Sequence, residues 1–174
     1  MTKLIMGIGV SGAGKTTVLK SFAQKNNYVY LCPDDIREEL TGDSLDQSQN
    51  KEVWELARRR LAELLQSGQT VVFDATFVDS RIRKDFLSFA RQIGVEKIQG
   101  VWLDIPREVS QERNQSRQRV MPDYAIDRQY AQIEQSIPQL DDGFDDIFRL
   151  DQDQNLVEAV VRTDESDLHR RFDG

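Results

Sequence analysis

The sequence predicts a single α/β domain, with a parallel sheet of about five strands and helices on both faces. Three observations carry that expectation. Short apolar runs alternate with helix-period stretches along most of the chain, and strands alternating with helices build βαβ units. The length, 174 residues, is that of one domain. No internal repeat, low-complexity segment or linker interrupts the pattern. Residues 1–174 therefore read as one unit, with a core over about 3–150 and an acidic segment over 151–174.

Each element has its own signal. Residues 3–9 (KLIMGIG) read as a buried strand, followed by a Gly-rich turn and a helix over about 15–25. Residues 28–31 (YVYL) form a second short strand. A helix over 34–40 opens with Asp34 and Asp35, which face the positive end of its dipole. Residues 48–66 place Val53, Trp54, Leu56, Ala57, Leu61, Leu64 and Leu65 on one side at helical spacing, and Gly68 stops the helix. A third strand, 70–73, is closed by Asp74. The helix over 80–93 ends at Gly94, and 97–103 is a fourth strand. Helices over about 107–117 and 123–136 precede a turn at 138–143, and 146–150 is a fifth strand. Residues 156–161 have no clear type, and the chain is expected to fray toward its charged end.

Composition narrows the class. Hydrophobic residues make up 39% and charged residues 30%, as in a soluble globular chain. The longest apolar stretch, Leu4 to Val10, is far short of the roughly 20 residues that span a bilayer. The N-terminus does not resemble a secretory signal. A lone cysteine, Cys32, excludes an internal disulfide and a Cys-rich zinc site, and fits a reducing cytoplasm. The net charge of −7 is uneven: residues 1–133 carry 19 Lys+Arg against 18 Asp+Glu, and residues 134–174 carry 4 against 12. The acidity thus belongs to the final segment, and composition does not mark a nucleic-acid binder.

The chemistry starts at Gly9-Val10-Ser11-Gly12-Ala13-Gly14-Lys15-Thr16, which matches G-x-x-x-x-G-K-[ST] between a strand and a helix. Glycines let backbone N–H groups wrap phosphate oxygens, Lys15 supplies a point charge, and the Thr16 hydroxyl can ligate Mg²⁺. The helix that follows aims its positive end at the same anion. Guanine-nucleotide switches and motor ATPases are disfavoured. Asn50-Lys51-Glu52-Val53 lacks the aspartate of a guanine-reading segment, and Ala75 follows Asp74 where many ATPases place a water-activating glutamate.

A kinase needs a carboxylate for the acceptor proton and cations over the transferring phosphoryl group. Asp34 and Asp35 follow the second strand, at the carboxyl-end crevice of a doubly wound sheet. Arg113 and Arg117, spaced i, i+4, project from one helix face, with Arg119 just beyond.

In order along the chain, GVSGAGKTT, CPDDIREEL, TVVFDAT, LDIPREVSQERNQSR, VMPDYAIDRQY and PQLDDGFDDI resemble the P-loop kinase domain of the polynucleotide 5′-kinases and its stand-alone predicted-kinase relatives, over roughly residues 3–150. The resemblance implies an ATP- and Mg²⁺-dependent kinase whose acceptor is the 5′-OH end of a polynucleotide, RNA or DNA, as in nucleic-acid repair. It implies that Gly9, Ser11, Gly12, Ala13, Gly14, Lys15, Thr16 and Thr17, with Arg113 and Arg117, hold ATP, and that Thr16 holds the metal. By the same resemblance Asp34 is the general base, and Arg117 stabilises transition-state charge beside Lys15. Asp35, Arg37, Asp74 and Thr76 stand on the acceptor side, with Arg37 on the phosphate next to the 5′ end. Two positions depart from the family pattern. Pro33 replaces an arginine, and Phe77 stands where relatives often have asparagine; both lie near the presumed acceptor side. No phosphatase module is present.

The remaining features read as structural. Arg58-Arg59-Arg60 spread around a helix as a solvated face; Tyr28, Tyr30, Trp54 and Trp102 are core or half-buried; Cys32 is inert; His169 is solvated in a charged tail. Other readings stay open: a kinase for a small alcohol (nucleoside, sugar or antibiotic), a kinase acting on a cell-wall sugar nucleotide as related toxins do, or a nucleotide-binding protein without transfer activity.

Overall fold

The computed structural model describes residues 1–118 and 120–162. Arg119 and His169 lie outside the described residues. The chain runs β1 (Lys3–Ile8), α1 (Lys15–Asn26), β2 (Val29–Leu31), α2 (Pro33–Thr41), α3 (Asn50–Gln66), β3 (Val71–Asp74), α4 (Ser80–Gln92), β4 (Lys97–Leu103), α5 (Arg107–Gln115), α6 (Asp123–Gln135), a 3₁₀ turn (Leu140–Asp142), β5 (Asp146–Leu150) and β6 (Leu156–Val161). The sheet order is β2-β3-β1-β4-β5-β6. All neighbours are parallel except β5 and β6, which form an antiparallel hairpin.

Among the described residues the sheet is therefore six-stranded and mostly parallel. Residues 156–161, which carried no clear signal, supply the sixth strand. Both faces of β6 are exposed, so it lacks the alternation that marks a half-buried strand.

Packing follows the periodicities. β1 buries Leu4, Met6 and Ile8 toward one face and Ile5 toward the other. On the first face α3 contributes Val53, Ala57, Leu61 and Leu65, one residue per turn, and α4 and α6 add Phe86, Leu87, Ala90, Ile126 and Ile133. α1 covers the second face with Leu19 and Ala23. Each fully buried aliphatic side chain in these layers contributes about 1.5–3 kcal/mol.

Two local features shape the crevice at the carboxyl ends of the strands. Pro33 starts α2, where a missing N–H costs nothing, and Asp34 and Asp35 follow in the first turn. Behind β3, Phe77 takes a left-handed backbone conformation (φ 47°), a region asparagine tolerates better than phenylalanine. Its ring is buried against Trp54, Phe73 and Phe86, so packing holds the conformation. Phe77 thus points into the core rather than toward an acceptor. Below it lies Arg83, a fully buried arginine. Its guanidinium donates to the carbonyls of Phe77 (2.8 Å), Val78 (3.3 Å) and Ser136 (2.6 Å) and pairs with Asp142 (3.0 Å). No helix of the described residues is long and apolar enough to cross a membrane.

Candidate active site

The loop from Gly9 to Gly14 wraps the head of α1. Gly12 and Gly14 adopt φ +83° and +90°, and Gly14 is the residue that caps α1. At Gly12 the demand for glycine is also steric, because a Cβ there would lie 2.5 Å from the Ser110 carbonyl oxygen of α5. Two more bonds fasten the loop to the α5–α6 pair. Arg113 donates to the Ala13 carbonyl (3.0 Å), and the Ser11 N–H donates to the Gln129 side-chain oxygen (2.7 Å). Arg113 also reaches the Gln152 carbonyl (2.9 Å) in the β5–β6 connection.

Lys15 and Thr16 meet Asp74 at the end of β3. The Thr16 hydroxyl donates to Asp74 Oδ2 at 2.8 Å, and Lys15 Nζ lies 4.0 Å from Oδ1. Tyr30 OH donates to the same Oδ2. Burial, and then the Asp74 charge, push the Tyr30 phenol above its ordinary range, so it remains a donor. Asp74 thus contacts the phosphate loop through Lys15 and Thr16. Thr76 takes the Gly9 N–H on its carbonyl (3.0 Å).

A cavity of about 230 Å³ joins these parts. Its lining includes Ser11, Gly12, Gly14, Lys15, Thr16, Thr17, Asp34, Asp74, Thr76, Arg113 and Arg117. Asp34 is the carboxylate of α2 that opens into it, and its side chain is 64% exposed. Asp35, Arg37, Gly9 and Ala13 do not line the cavity. Burial raises the Asp35 carboxyl above its usual range. Arg37 is buried beneath Asp34, pairing with its Oδ1 and donating to Ser44 O (3.3 Å) and Asn50 Oδ1 (3.0 Å). Its Nε is buried with no hydrogen-bond partner among the described residues. Cys32 sits at the wall, its thiol pushed up to about 12 by burial and by the charges of Asp74 and Asp34, which leaves it a poor nucleophile.

Arg113 and Arg117 both reach the cavity, but not from one helix face. α5 ends at Gln115, and Arg117 follows in a turn whose N–H bonds Asn114 O (3.1 Å). The Asn114 side chain causes the early stop. It exchanges hydrogen bonds with the backbone of Met121 (2.7 and 2.9 Å), folding the following segment back onto α5. Gln129 and Tyr30 were not among the expected site residues. Each acts through one contact distant in sequence, which no local pattern announces.

The arrangement fits Mg²⁺·ATP. Left-handed glycines frame a backbone nest, a buried lysine stands at the loop, and Thr16 with Asp74 offers hard oxygen donors 2.8 Å apart. No group of three His, Cys, Asp or Glu among the described residues could hold a metal alone, so phosphate and water oxygens would complete the shell.

The family model described as an AAA domain, AAA_33, matches residues 4–139. The chain belongs to that family. Its fold is that of a P-loop kinase, and solved structures resemble this AAA-domain chain at low identity. A gluconokinase from Sinorhizobium meliloti 1021 shares 21% identity at TM-score 0.58, covering 88% of this chain and 85% of that one. A chain of the Pnkp1/Rnl/Hen1 RNA repair complex shares 21% at TM-score 0.71 over 92% of this chain; the match spans 48% of that longer chain. A structure of the PezAT chromosomal toxin-antitoxin system of Streptococcus pneumoniae shares 18% at TM-score 0.64, over 91% and 72%. None of the curated proteins compared matches the chain.

Proposed function

We propose that the protein is an ATP-dependent kinase that phosphorylates a hydroxyl, with the 5′-OH end of a polynucleotide as acceptor. The observation that carries the reading is the exposed Asp34 carboxylate, which opens into the same cavity as Lys15, Thr16, Arg113 and Arg117. When bound, Mg²⁺·ATP supplies the transferable phosphoryl group and part of the counter-charge. Asp34 takes the acceptor hydroxyl's proton on a carboxylate oxygen, while Arg37 holds that carboxylate in place. Lys15, Arg113 and Arg117 bring positive charge to the phosphoryl group, and Thr16 with Asp74 would hold the metal, which would add to that charge. The polynucleotide acceptor is supported by the ordered D-D-x-R, E-R-N-x-x-R and P-x-L-x-x-G-F-D segments, and by the fold shared with a chain of an RNA repair complex.

A second reading, a small alcohol as acceptor, is favoured by the surface of α2, α3 and α4. There Arg60 pairs with Glu39 (2.7 Å), Arg58 with Asp85 (2.6 Å) and Arg81 with Asp79 (3.1 Å), which neutralises charges that a polynucleotide track would use. Transfer of labelled γ-phosphate from ATP, with Mg²⁺, to 5′-OH RNA, 5′-OH DNA and a panel of sugars and nucleosides separates the two. Label on an oligonucleotide 5′ end that is lost with Asp34→Ala is the expected result. Label on small alcohols alone overturns the polynucleotide acceptor, and full activity of Asp34→Ala overturns the base.

A further inference from the structure

The two edges of the sheet are built differently. β2 has three residues, two half-buried and one buried, with Lys20 Nζ 5.2 Å from the Tyr30 ring centroid. β6 is six residues long and exposed throughout. Leu156, Val157, Val160 and Val161 are 59%, 53%, 38% and 54% accessible, and the strand holds no proline or lysine. Proteins ordinarily blunt such an edge with those residues, because its free N–H and C=O groups template another strand.

The hairpin register says which groups have no strand partner among the described residues. Val160 pairs with Ile147 and Val161 with Asp146, and the Arg162 N–H donates to Asp145 O (2.9 Å). In an antiparallel ladder this turns the backbone groups of Glu158, Val160 and Arg162 toward β5, and those of Val157, Ala159 and Val161 outward. Two antiparallel copies of β6 can then satisfy one another about a two-fold axis at Val160. Ala159 of each copy exchanges both backbone bonds with Val161 of the other, and the two Val160 side chains meet. In this register Glu158 of each copy lies directly opposite Arg162 of the other, giving two opposite-charge pairs on one face. A register centred on Ala159 sets Glu158 against valine and makes no such pair, so charge complementarity selects the first.

Glu158 and Val160 also line a groove of about 490 Å³ between β4, β5 and α6, floored by Ile133, Ile137 and Ile147. A second β6 alongside would close its outer side. We propose that β6 is the dimer interface of this protein: a second copy of the chain adds its own β6 antiparallel, centred on Val160, to make a continuous twelve-stranded sheet. The interface lies at the sheet edge and is independent of any phosphotransfer reading.

The test is the mass of the full chain by sedimentation equilibrium from micromolar to hundreds of micromolar, with circular dichroism to check folding. The expected result is twice the mass of one chain at high concentration. Val160→Lys should give a folded monomer. Glu158→Arg or Arg162→Glu alone should weaken association about tenfold or more through opposed like charges, and the double exchange should restore it. Arg162 also bonds the carbonyls of Leu140 (3.1 Å) and Phe144 (3.3 Å), and Glu158 pairs with Arg149 of its own chain (3.6 Å), so Glu158→Gln is the control that loses the Arg149 pair without adding a like charge. A wild-type monomer at every concentration overturns the proposal, including one whose β6 amides are protected by the chain's own residues. So does a dimer that survives Val160→Lys.

Discussion

The two walls of the crevice are built by opposite means. On the phosphate-loop side the wall is backbone, and neighbours grip it from several directions: Ser110 behind Gly12, Arg113 on Ala13, Gln129 on Ser11, Asp74 under Thr16. On the α2 side one exposed carboxylate, Asp34, rests on one buried arginine, Arg37. A wall made of backbone recognises phosphate whatever else the protein does. A wall made of one side chain and its support can change partner with few substitutions.

The comparison is broken most severely at Asp34. Asp34→Ala should lower the rate of phosphoryl transfer by roughly 10²–10⁴-fold, with ATP affinity retained in a fluorescent-nucleotide titration. Arg37→Met should follow at roughly tenfold to a hundredfold in kcat, with KM for ATP unchanged, because it releases Asp34 from its position. If KM for ATP rises instead, the two walls are not separate. On the donor side Gly12→Ala forces a left-handed alanine against Ser110, at a cost of about 1–3 kcal/mol. Nucleotide affinity and melting temperature should fall together. Tyr30→Phe removes one of three contacts on Asp74 and should weaken turnover only a few-fold, read as kcat at saturating ATP.

The smallest effect is expected at Cys32. With its thiol held up to about 12, iodoacetamide at pH 8 should leave the native protein essentially unlabelled while the unfolded chain reacts. Because folding favours the neutral thiol, its contribution to stability is full below the ordinary thiol range and is lost as pH rises toward 12. Cys32→Ala should flatten part of the alkaline fall in stability, measured by urea denaturation between pH 8 and 11.

What could be read from the sequence follows the same division. The phosphate loop was legible because glycine spacing encodes its backbone directly, and the first five strands because they are short apolar runs between helix-period stretches. The D-D-x-R spacing put Asp34 and Arg37 one turn apart, but not the burial of Arg37 under Ser44 and Asn50, which depends on where the α2–α3 connection lands. Arg117 looked like a continuation of α5 because i, i+4 spacing cannot foresee the Asn114 bonds that end the helix. Gln129 touches Ser11 across 118 residues and has no local signature. β6 was obscure because an exposed strand loses the alternation that marks a buried one.

The buried guanidinium of Arg83 also bears on how the crevice forms and opens. It ties the segment behind β3 to Ser136 and Asp142, partners more than fifty residues away along the chain. Closing so long a loop costs entropy before any of those bonds returns it, so this region should assemble late in folding. The same dependence makes it open only with the whole molecule. The Arg83 amide, bonded to the Asp79 carbonyl (3.0 Å), should exchange at the rate set by global unfolding, far slower than the amides of exposed loops. The back of the crevice is in that sense fixed by the folding of the entire chain.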